Sequence, residues 1–183
     1  NNLYLFGFIL ALRVSLTQAQ VPYFEQITAS DGLSQGMIFD LIQDKKGFLW
    51  FATNDGLNRY DGYGFKVYQN DPFNAFSISR NEIQSLLEDH AGRLWVGTVS
   101  NGISIRDPKT DRFFHLNNMA SQSIRCFAET PDGSVWVGTE KGVYRVRLPE
   151  VWPSGSADLR AVARVDTFFW DGPMTDQRPI PNF

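Results

Sequence analysis

The sequence predicts an all-β protein, and three observations lead to that prediction. Aromatic residues make up 14% of the 183 residues, and 15 Gly and 9 Pro divide the apolar segments into short runs. Aromatic and β-branched residues between frequent turn formers are typical of strands. A block that ends in Trp-x-x-Thr also recurs three times along the chain.

The first segment of the chain is interpreted as a secretory signal rather than as part of the fold. Ten apolar residues run from Leu3 to Leu12, and a helix of that length rises only about 15 Å, half of a bilayer core. Thr17 and Ala19 provide small residues at the two positions that a signal peptidase reads, so residues 1–19 are predicted to be a signal peptide. The alternative is a buried N-terminal strand or helix.

The body of the chain contains an internal repeat, and its most regular positions keep register. Glycine, tryptophan and threonine each recur at intervals of 45 and then 41 residues. Three copies with the same residues at fixed offsets indicate a repeat architecture. The structural repeat residues are Gly47, Trp50 and Thr53 in the first copy, Gly92, Trp95 and Thr98 in the second, and Gly133, Trp136 and Thr139 in the third.

Each copy is predicted to form four short antiparallel strands. In the first copy the strands are 38–43, 49–52, 57–61 and 65–68, and the turn 44–47 places glycine where a positive φ is tolerated. The fourth strands of the later copies are predicted at 112–116 and 164–168, the last one after a lengthened connection. Four strands every 40 to 45 residues is the pattern of a β-propeller blade.

The fold class is therefore all-β, a partial β-propeller of about three four-stranded antiparallel blades from a larger ring, which we expect to have seven blades. The tryptophan of the second strand is predicted to fill the space between neighbouring blades, and the small residue two positions later to let the sheets approach. Residues 20–37 are assigned to an N-terminal closing strand, Tyr23 to Ile27, and the loop after it. The predicted blades are 38–82, 83–123 and 124–169, and residues 170–183 are predicted to lead into a fourth blade.

The repeat resembles the two-component regulator propeller repeat. The segments Ile27 to Gln35 and Gly47 to Gly62 resemble the opening of the sensor region of hybrid two-component histidine kinases, and the likeness extends from Phe24 to about Leu148. The resemblance implies a periplasmic propeller that binds an oligosaccharide or a related nutrient. It also implies a longer parent chain, dimeric and anchored in the inner membrane, whose kinase controls transcription by phosphorelay. The later family domains are absent from this sequence, so we expect it to be an N-terminal fragment.

Charge and composition exclude several other functions. Seventeen basic and 20 acidic residues give a net charge of −3, so no global field attracts nucleic acid. The single cysteine, Cys126, excludes an internal disulfide and a multi-cysteine zinc site. We expect no cofactor, no metal and no catalytic residue. His90 is predicted to be solvated in a turn, His115 to lie on the surface of an outer strand, and Cys126 to be a small buried apolar group.

The candidate ligand-binding residues lie in loops that share one end of the predicted blades. These loops lead into the first strands or join the second strands to the third, and their amides and hydroxyls suit sugar hydroxyls. The alternative is that these loops are only solvated. Two other functions also stay open: an exported propeller lyase or hydrolase, and a protein-binding scaffold. The candidates are Ser34, Gln35, Asn54, Asp55, Phe73, Arg80, Asn81, Asn101, Gln122 and Lys141.

Overall fold

The computed structural model describes residues 26–117, 123–150, 152 and 155–168. The predicted signal peptide, the segment 170–183 and most of the predicted closing strand lie outside the described residues. Gln26 and Ile27, the described end of that segment, are not in a strand. No helix within the described ranges is long and apolar enough to cross a membrane.

The described part of the chain forms three four-stranded antiparallel sheets, each with its strands in sequence order. This arrangement confirms the predicted fold class. Blade 1 contains β1 (Asp40–Gln43), β2 (Leu49–Thr53), β3 (Gly56–Tyr60) and β4 (Phe65–Tyr68). Blade 2 contains β5 (Ile83–Glu88), β6 (Leu94–Thr98), β7 (Ile103–Arg106) and β8 (Phe113–Leu116). Blade 3 contains β9 (Ile124–Glu129), β10 (Val135–Thr139), β11 (Val143–Arg147) and β12 (Arg164–Phe168).

The turn between the first two strands of blades 1 and 2 is organised by an aspartate. The carboxylate of Asp44 accepts hydrogen bonds from the backbone N–H of Phe48 at 2.9 Å and from the indole N–H of Trp50 at 2.8 Å. Asp89 accepts the same two bonds, from Arg93 at 2.9 Å and from Trp95 at 2.9 Å. Each aspartate therefore fixes both the turn and the orientation of the tryptophan that follows it.

The glycines of these turns adopt the backbone conformation that the turn chemistry predicts. Gly47, Gly92 and Gly133 have φ values of 89°, 77° and 75°, a region in which a side chain is strained. In the third copy Thr130 stands at the position of the aspartate, and its hydroxyl donates to the carboxylate of Asp132 at 2.6 Å. The turn is thus kept with a different set of side chains.

Trp50 and Trp95 fill the spaces between described blades, as the repeat predicts. Trp50 is 1% exposed and belongs to a core that also contains Ile83 and Phe113 of blade 2. Trp95 is fully buried in a second core with Ile124 and Val137 of blade 3. Burying side chains of this size supplies a large share of the hydrophobic stabilisation of a blade pair.

Gly97, the small residue two positions after Trp95, permits close contact between the sheets of blades 2 and 3. A methyl group added to Gly97 would lie 2.3 Å from the hydroxyl oxygen of Ser85 and 2.7 Å from Cγ2 of Ile124 in blade 3. The Ser85 hydroxyl also donates to the carbonyl of Ile124 at 3.1 Å. Between blades 1 and 2 the carboxylate of Asp40 accepts the backbone N–H of Leu86 at 2.7 Å. Polar contacts between first strands therefore accompany the apolar packing.

The lengthened connection between β11 and β12 covers the outer edge of blade 2. The backbone N–H of His115 in β8 donates to the carbonyl of Ala157 at 2.6 Å, and that of Leu159 donates to the His115 carbonyl at 2.9 Å. Leu159 is fully buried, and Trp152 stacks on Phe114 with ring centroids 4.5 Å apart. The connection thus pairs an outer strand that would otherwise present free backbone groups.

Replacing Gly97 with alanine should destabilise the propeller by about 1–3 kcal/mol, because the added methyl group overpacks the contact between blades 2 and 3. The change in urea midpoint measures the effect. Gly36→Ala is the matched control, since a methyl group there meets no atom within 4 Å. Equal midpoints for the two variants would contradict the close contact described for Gly97.

Candidate ligand-binding face

Two sets of loops meet at one end of the blades, here named the upper face. It consists of the loops that lead into the first strands, 33–39 and 69–82, and the β2–β3 turns, 53–56 and 98–102. The backbone N–H of Asn54 donates to the side-chain carbonyl of Gln35 at 3.2 Å. The backbone N–H of Gly56 donates to the carbonyl of Asn81 at 2.9 Å. These bonds bring predicted site residues from separate loops together.

The repeated threonines build the β2–β3 turns of this face. The hydroxyls of Thr53, Thr98 and Thr139 donate to the carbonyls of the glycines that end the turns, at 2.8, 2.9 and 2.8 Å. A methyl group added to Gly56 would lie 2.6 Å from a backbone oxygen of the fourth strand. The threonine of the repeat is therefore used for turn structure, a function that its spacing alone did not reveal.

Ser34 is held by the blade beneath it. Its backbone N–H donates to the side-chain oxygen of Asn58 at 2.9 Å, and its hydroxyl oxygen accepts the Asn58 amide at 2.8 Å. Ser79 repeats this arrangement in blade 2, where its backbone N–H donates to the hydroxyl of Ser104 at 3.0 Å. These serines anchor the loops that lead into the first strands, and their hydroxyls are already engaged.

Other predicted site residues are more accessible. Asn54 and Asp55 are exposed, and the Asp55 carboxylate accepts the side-chain amide of Gln69 at 3.0 Å. Arg80 forms a half-exposed ion pair with Glu82 at 3.2 Å. Lys141 is exposed in the corresponding turn of blade 3.

Two further amides of the predicted set hold the loops of the upper face. The side-chain oxygen of Asn81 accepts the backbone N–H of Asn70 at 2.7 Å. The Asn101 amide donates to the carbonyl of Ser79 at 3.1 Å. Gln122 lies outside the described residues. The roles of the whole predicted set in binding stay predictions.

Phe73 lies in the first part of the loop 69–82, which joins β4 to β5. It is 99% exposed in the segment that leaves the outer strand β4. Phe76, in the same loop, packs on Phe114 with ring centroids 5.6 Å apart. Because its carbonyl also accepts the backbone N–H of Phe113 at 2.9 Å, Phe76 belongs to the outer edge of blade 2.

His115 is half-buried rather than a simple surface residue, which corrects the sequence prediction. Its Nε2 lies 3.1 Å from the carbonyl of Ala75, and its Nδ1 lies 3.2 Å from the hydroxyl of Ser104. Burial lowers the pKa of the imidazole. A neutral ring with its proton on Nε2 donates to the Ala75 carbonyl, and Nδ1 then lies beside the Ser104 hydroxyl, whose proton is donated to the hydroxyl of Ser79 at 3.0 Å.

The opposite, lower face is built from the β1–β2 turns, and there His90 is not merely solvated. Its ring Nδ1 lies 2.5 Å from a carboxylate oxygen of Glu129, and its backbone N–H donates to the same group at 2.9 Å. Lys45 makes the corresponding contact between blades 1 and 2, because its backbone N–H donates to the Glu88 carboxylate at 2.8 Å. A repeated glutamate therefore links neighbouring turns on this face.

Cys126 is exposed, whereas the sequence predicted a buried apolar role. It lies opposite Gly138 in the register of β9 and β10, as Ser85 lies opposite Gly97 in blade 2. The Ser85 side chain reaches the next blade from that position. The thiol of Cys126 is exposed because no described residue covers the same side of blade 3. No group of three potential metal ligands occurs among the described residues.

The fold and the repeated contacts define a β-propeller built from four-stranded blades. The profile of the family described as two component regulator propeller matches residues 32–55, 77–100 and 118–141. The three copies are therefore two-component regulator propeller repeats, as the sequence resemblance predicted.

Similar proteins support this assignment over part of their length. Histidine kinase P4 of Formosa agariphila is 52% identical over 56 residues, which cover 31% of this chain and 4% of the kinase. The extracellular domain of a proposed one component system, BT4673 of B. thetaiotaomicron, is 26% identical with a TM-score of 0.58, over 70% of this chain and 17% of that chain. A second structure of that extracellular domain, described as from a hybrid two component system, is 22% identical with a TM-score of 0.61. The match covers 83% of this chain and 19% of that chain, and this likeness shows the fold. This chain spans a small part of each relative.

The lowered pKa of His115 should make stability depend on pH below neutrality. His115 of the unfolded chain binds a proton near pH 6.5, whereas His115 of the folded protein does so only at lower pH. The contribution of the neutral imidazole to the free energy of unfolding is therefore complete above pH 6.5 and is lost as the pH falls. Between pH 7.5 and 5 the native propeller should lose more stability than His115→Gln, by at most about 1.4 kcal/mol per pH unit.

Urea midpoints at several pH values measure this difference. Glutamine keeps an N–H donor for the Ala75 carbonyl without titrating. Carboxylates with lowered pKa, such as Asp111 and Asp158, affect stability only at more acidic pH. The same pH dependence in both proteins would show that His115 does not carry the effect.

Proposed function

We propose that this chain is a periplasmic ligand-sensing propeller within a longer two-component sensor histidine kinase. The parent detects oligosaccharides or related nutrients and controls transcription by phosphorelay. We further propose that the parent acts as a homodimer anchored in the inner membrane. The three regulator propeller repeats and the similarity to a histidine kinase and to an extracellular sensor domain support this proposal.

The upper face is the observation that carries the ligand proposal. It presents the exposed side chains of Asn54 and Asp55 beside Gln35, on turns fixed by the repeated threonines. Amides supply both donors and acceptors, and a rigid support reduces the entropy lost when a polyhydroxylated ligand binds. The lower face, in contrast, uses its polar side chains for contacts between blades.

The arrangement of Ser104 and His115 favours sensing over hydrolysis. The two side chains are 3.2 Å apart, a distance suited to a nucleophile and its base. Ser104, however, is fully buried and its hydroxyl also lies 3.0 Å from that of Ser79. A substrate cannot reach this hydroxyl, so the pair is a structural link between loop and blade.

Titration of the complete extracellular region of the parent with a panel of oligosaccharides tests the proposal. Calorimetry should detect binding of at least one oligosaccharide without release of products. Asn54→Ala should weaken that binding about tenfold, the effect of losing one well-placed hydrogen bond of about 1.4 kcal/mol.

Tyr63→Ser provides the matched control, because Tyr63 is 99% exposed in the β3–β4 turn on the lower face. Its affinity should equal that of the native protein. Cleavage of the oligosaccharide would favour a lyase or hydrolase instead. Failure of every saccharide in the panel to bind would refute oligosaccharide sensing.

A further inference from the structure

The two longest connections in the described chain meet at one cleft on the rim of the upper face. One is the loop 69–82 between β4 and β5, and the other is the connection 148–163 between β11 and β12. A cavity of about 440 Å³, here named the rim cleft, is lined by residues of the loop 69–82, by Ser156, Ala157 and Asp158 of the other connection, and by Asn101, His115 and Asn117. The cleft thus forms where the chain departs most from the regular repeat.

Both walls of the rim cleft are held by β8 and by bonds within the loops. The loop 69–82 is attached through the Phe76 carbonyl, which accepts the backbone N–H of Phe113. Its shape is maintained by the Asn70 amide, which donates to the carbonyl of Ile78 at 2.8 Å. The other wall is attached by the two backbone bonds between His115 and residues 157 and 159. The cleft is therefore preformed rather than a gap between loose loops.

The floor of the rim cleft contains an imidazole whose two nitrogens are both engaged. Burial lowers the pKa of His115, so the ring carries no charge at neutral pH. Its contacts with the Ala75 carbonyl and the Ser104 hydroxyl tie one wall to the blade. His115 accordingly shapes the cleft without giving it a positive charge.

The lining of the rim cleft is polar and lacks fixed positive charge. Asn74, Asn101 and Asn117 contribute amides, Ser156 a hydroxyl, and Asp71 and Asp158 carboxylates; no lysine or arginine is among the lining residues of the described chain. Asp158 is paired with Arg160, which lies outside the lining, at 2.6 Å, so Asp71 supplies the negative charge that a sulfated or carboxylated sugar would meet. A neutral sugar meets no such repulsion and can both donate and accept hydrogen bonds. The volume is within the range of small-molecule sites.

We propose that the rim cleft is a second saccharide subsite, specific for neutral sugar units and distinct from the turns that carry Asn54 and Asp55. This inference rests on the proposed function, because it assigns part of the oligosaccharide to the rim of blade 2. One wall comes from the connection between β11 and β12, whose counterparts in blades 1 and 2 span only residues 61–64 and 107–112. The cleft would therefore select among ligands while the repeat itself stays unchanged.

Two variants of the complete extracellular region test the subsite. Ala75→Trp fills the cleft from its exposed wall, and Asn117→Ala removes an exposed amide without adding bulk. Ala91→Trp is the matched control, since it makes the same substitution at an exposed position on the lower face. Calorimetry with neutral malto-, cello- and xylo-oligosaccharides and with uronic-acid oligosaccharides measures affinity, and thermal melting checks that each variant folds.

The proposal expects a neutral oligosaccharide to bind the native protein, with affinity at least tenfold weaker in Ala75→Trp, several-fold weaker in Asn117→Ala and unchanged in Ala91→Trp. If Ala75→Trp does not fold, Asn117→Ala alone decides. If Ala75→Trp and Asn117→Ala bind the oligosaccharide as tightly as the native protein does, the proposed subsite is wrong and oligosaccharide sensing still stands. Tighter binding of uronic-acid oligosaccharides than of neutral ones would contradict the proposed specificity of the rim cleft for neutral sugars. Absence of any saccharide binding to the native protein would refute the proposed function and the subsite with it.

Discussion

The contact between the first strands of neighbouring blades is the constraint on which the rest of the structure depends. At Gly97 the sheets of blades 2 and 3 approach so closely that a methyl group would collide with Ile124. This distance lets Trp95 fill the remaining space between the two sheets and become fully buried. If the sheets were farther apart, the tryptophan would leave a void and the blade pair would lose dispersion contacts.

The polar residues of the repeat maintain the geometry that this packing needs. Asp44 and Asp89 each orient a tryptophan through its indole N–H while also closing a turn. Thr53 and Thr98 close the turns at the other end of the same strands. The regular residues are consequently committed to structure, and the loops of variable length are free to carry recognition. This division explains why the rim cleft is built from the two longest connections.

The sequence predicted most of the fold because the information is periodic. Tryptophan and glycine at constant offsets identify the second strand, its turn and the side that packs against a neighbour, and the structure agrees on all three. Strand ends were less accurate: β1 begins at Asp40 rather than Ile38, which is 38% exposed before the sheet begins.

The candidate site was harder to predict because its contacts join residues far apart in the chain. His115 is half-buried by Ala75 and by the connection near Ala157, and no sequence interval indicates that the three meet. The hydroxyl of Ser34 is occupied by Asn58, 24 residues away. Cys126 was misjudged for a different reason, since its burial depends on what lies against the open side of blade 3.

The most direct test of this account is a crystal structure of the complete extracellular region with a bound oligosaccharide. We expect the sugar to occupy the upper face, in contact with the turn at Asn54 and extending to the cleft beside Asn117. The repeated threonine turns should keep their geometry beneath it. A saccharide bound instead in the lower groove near His90 and Arg147 would contradict the account, because that face would then serve recognition as well as contact between blades.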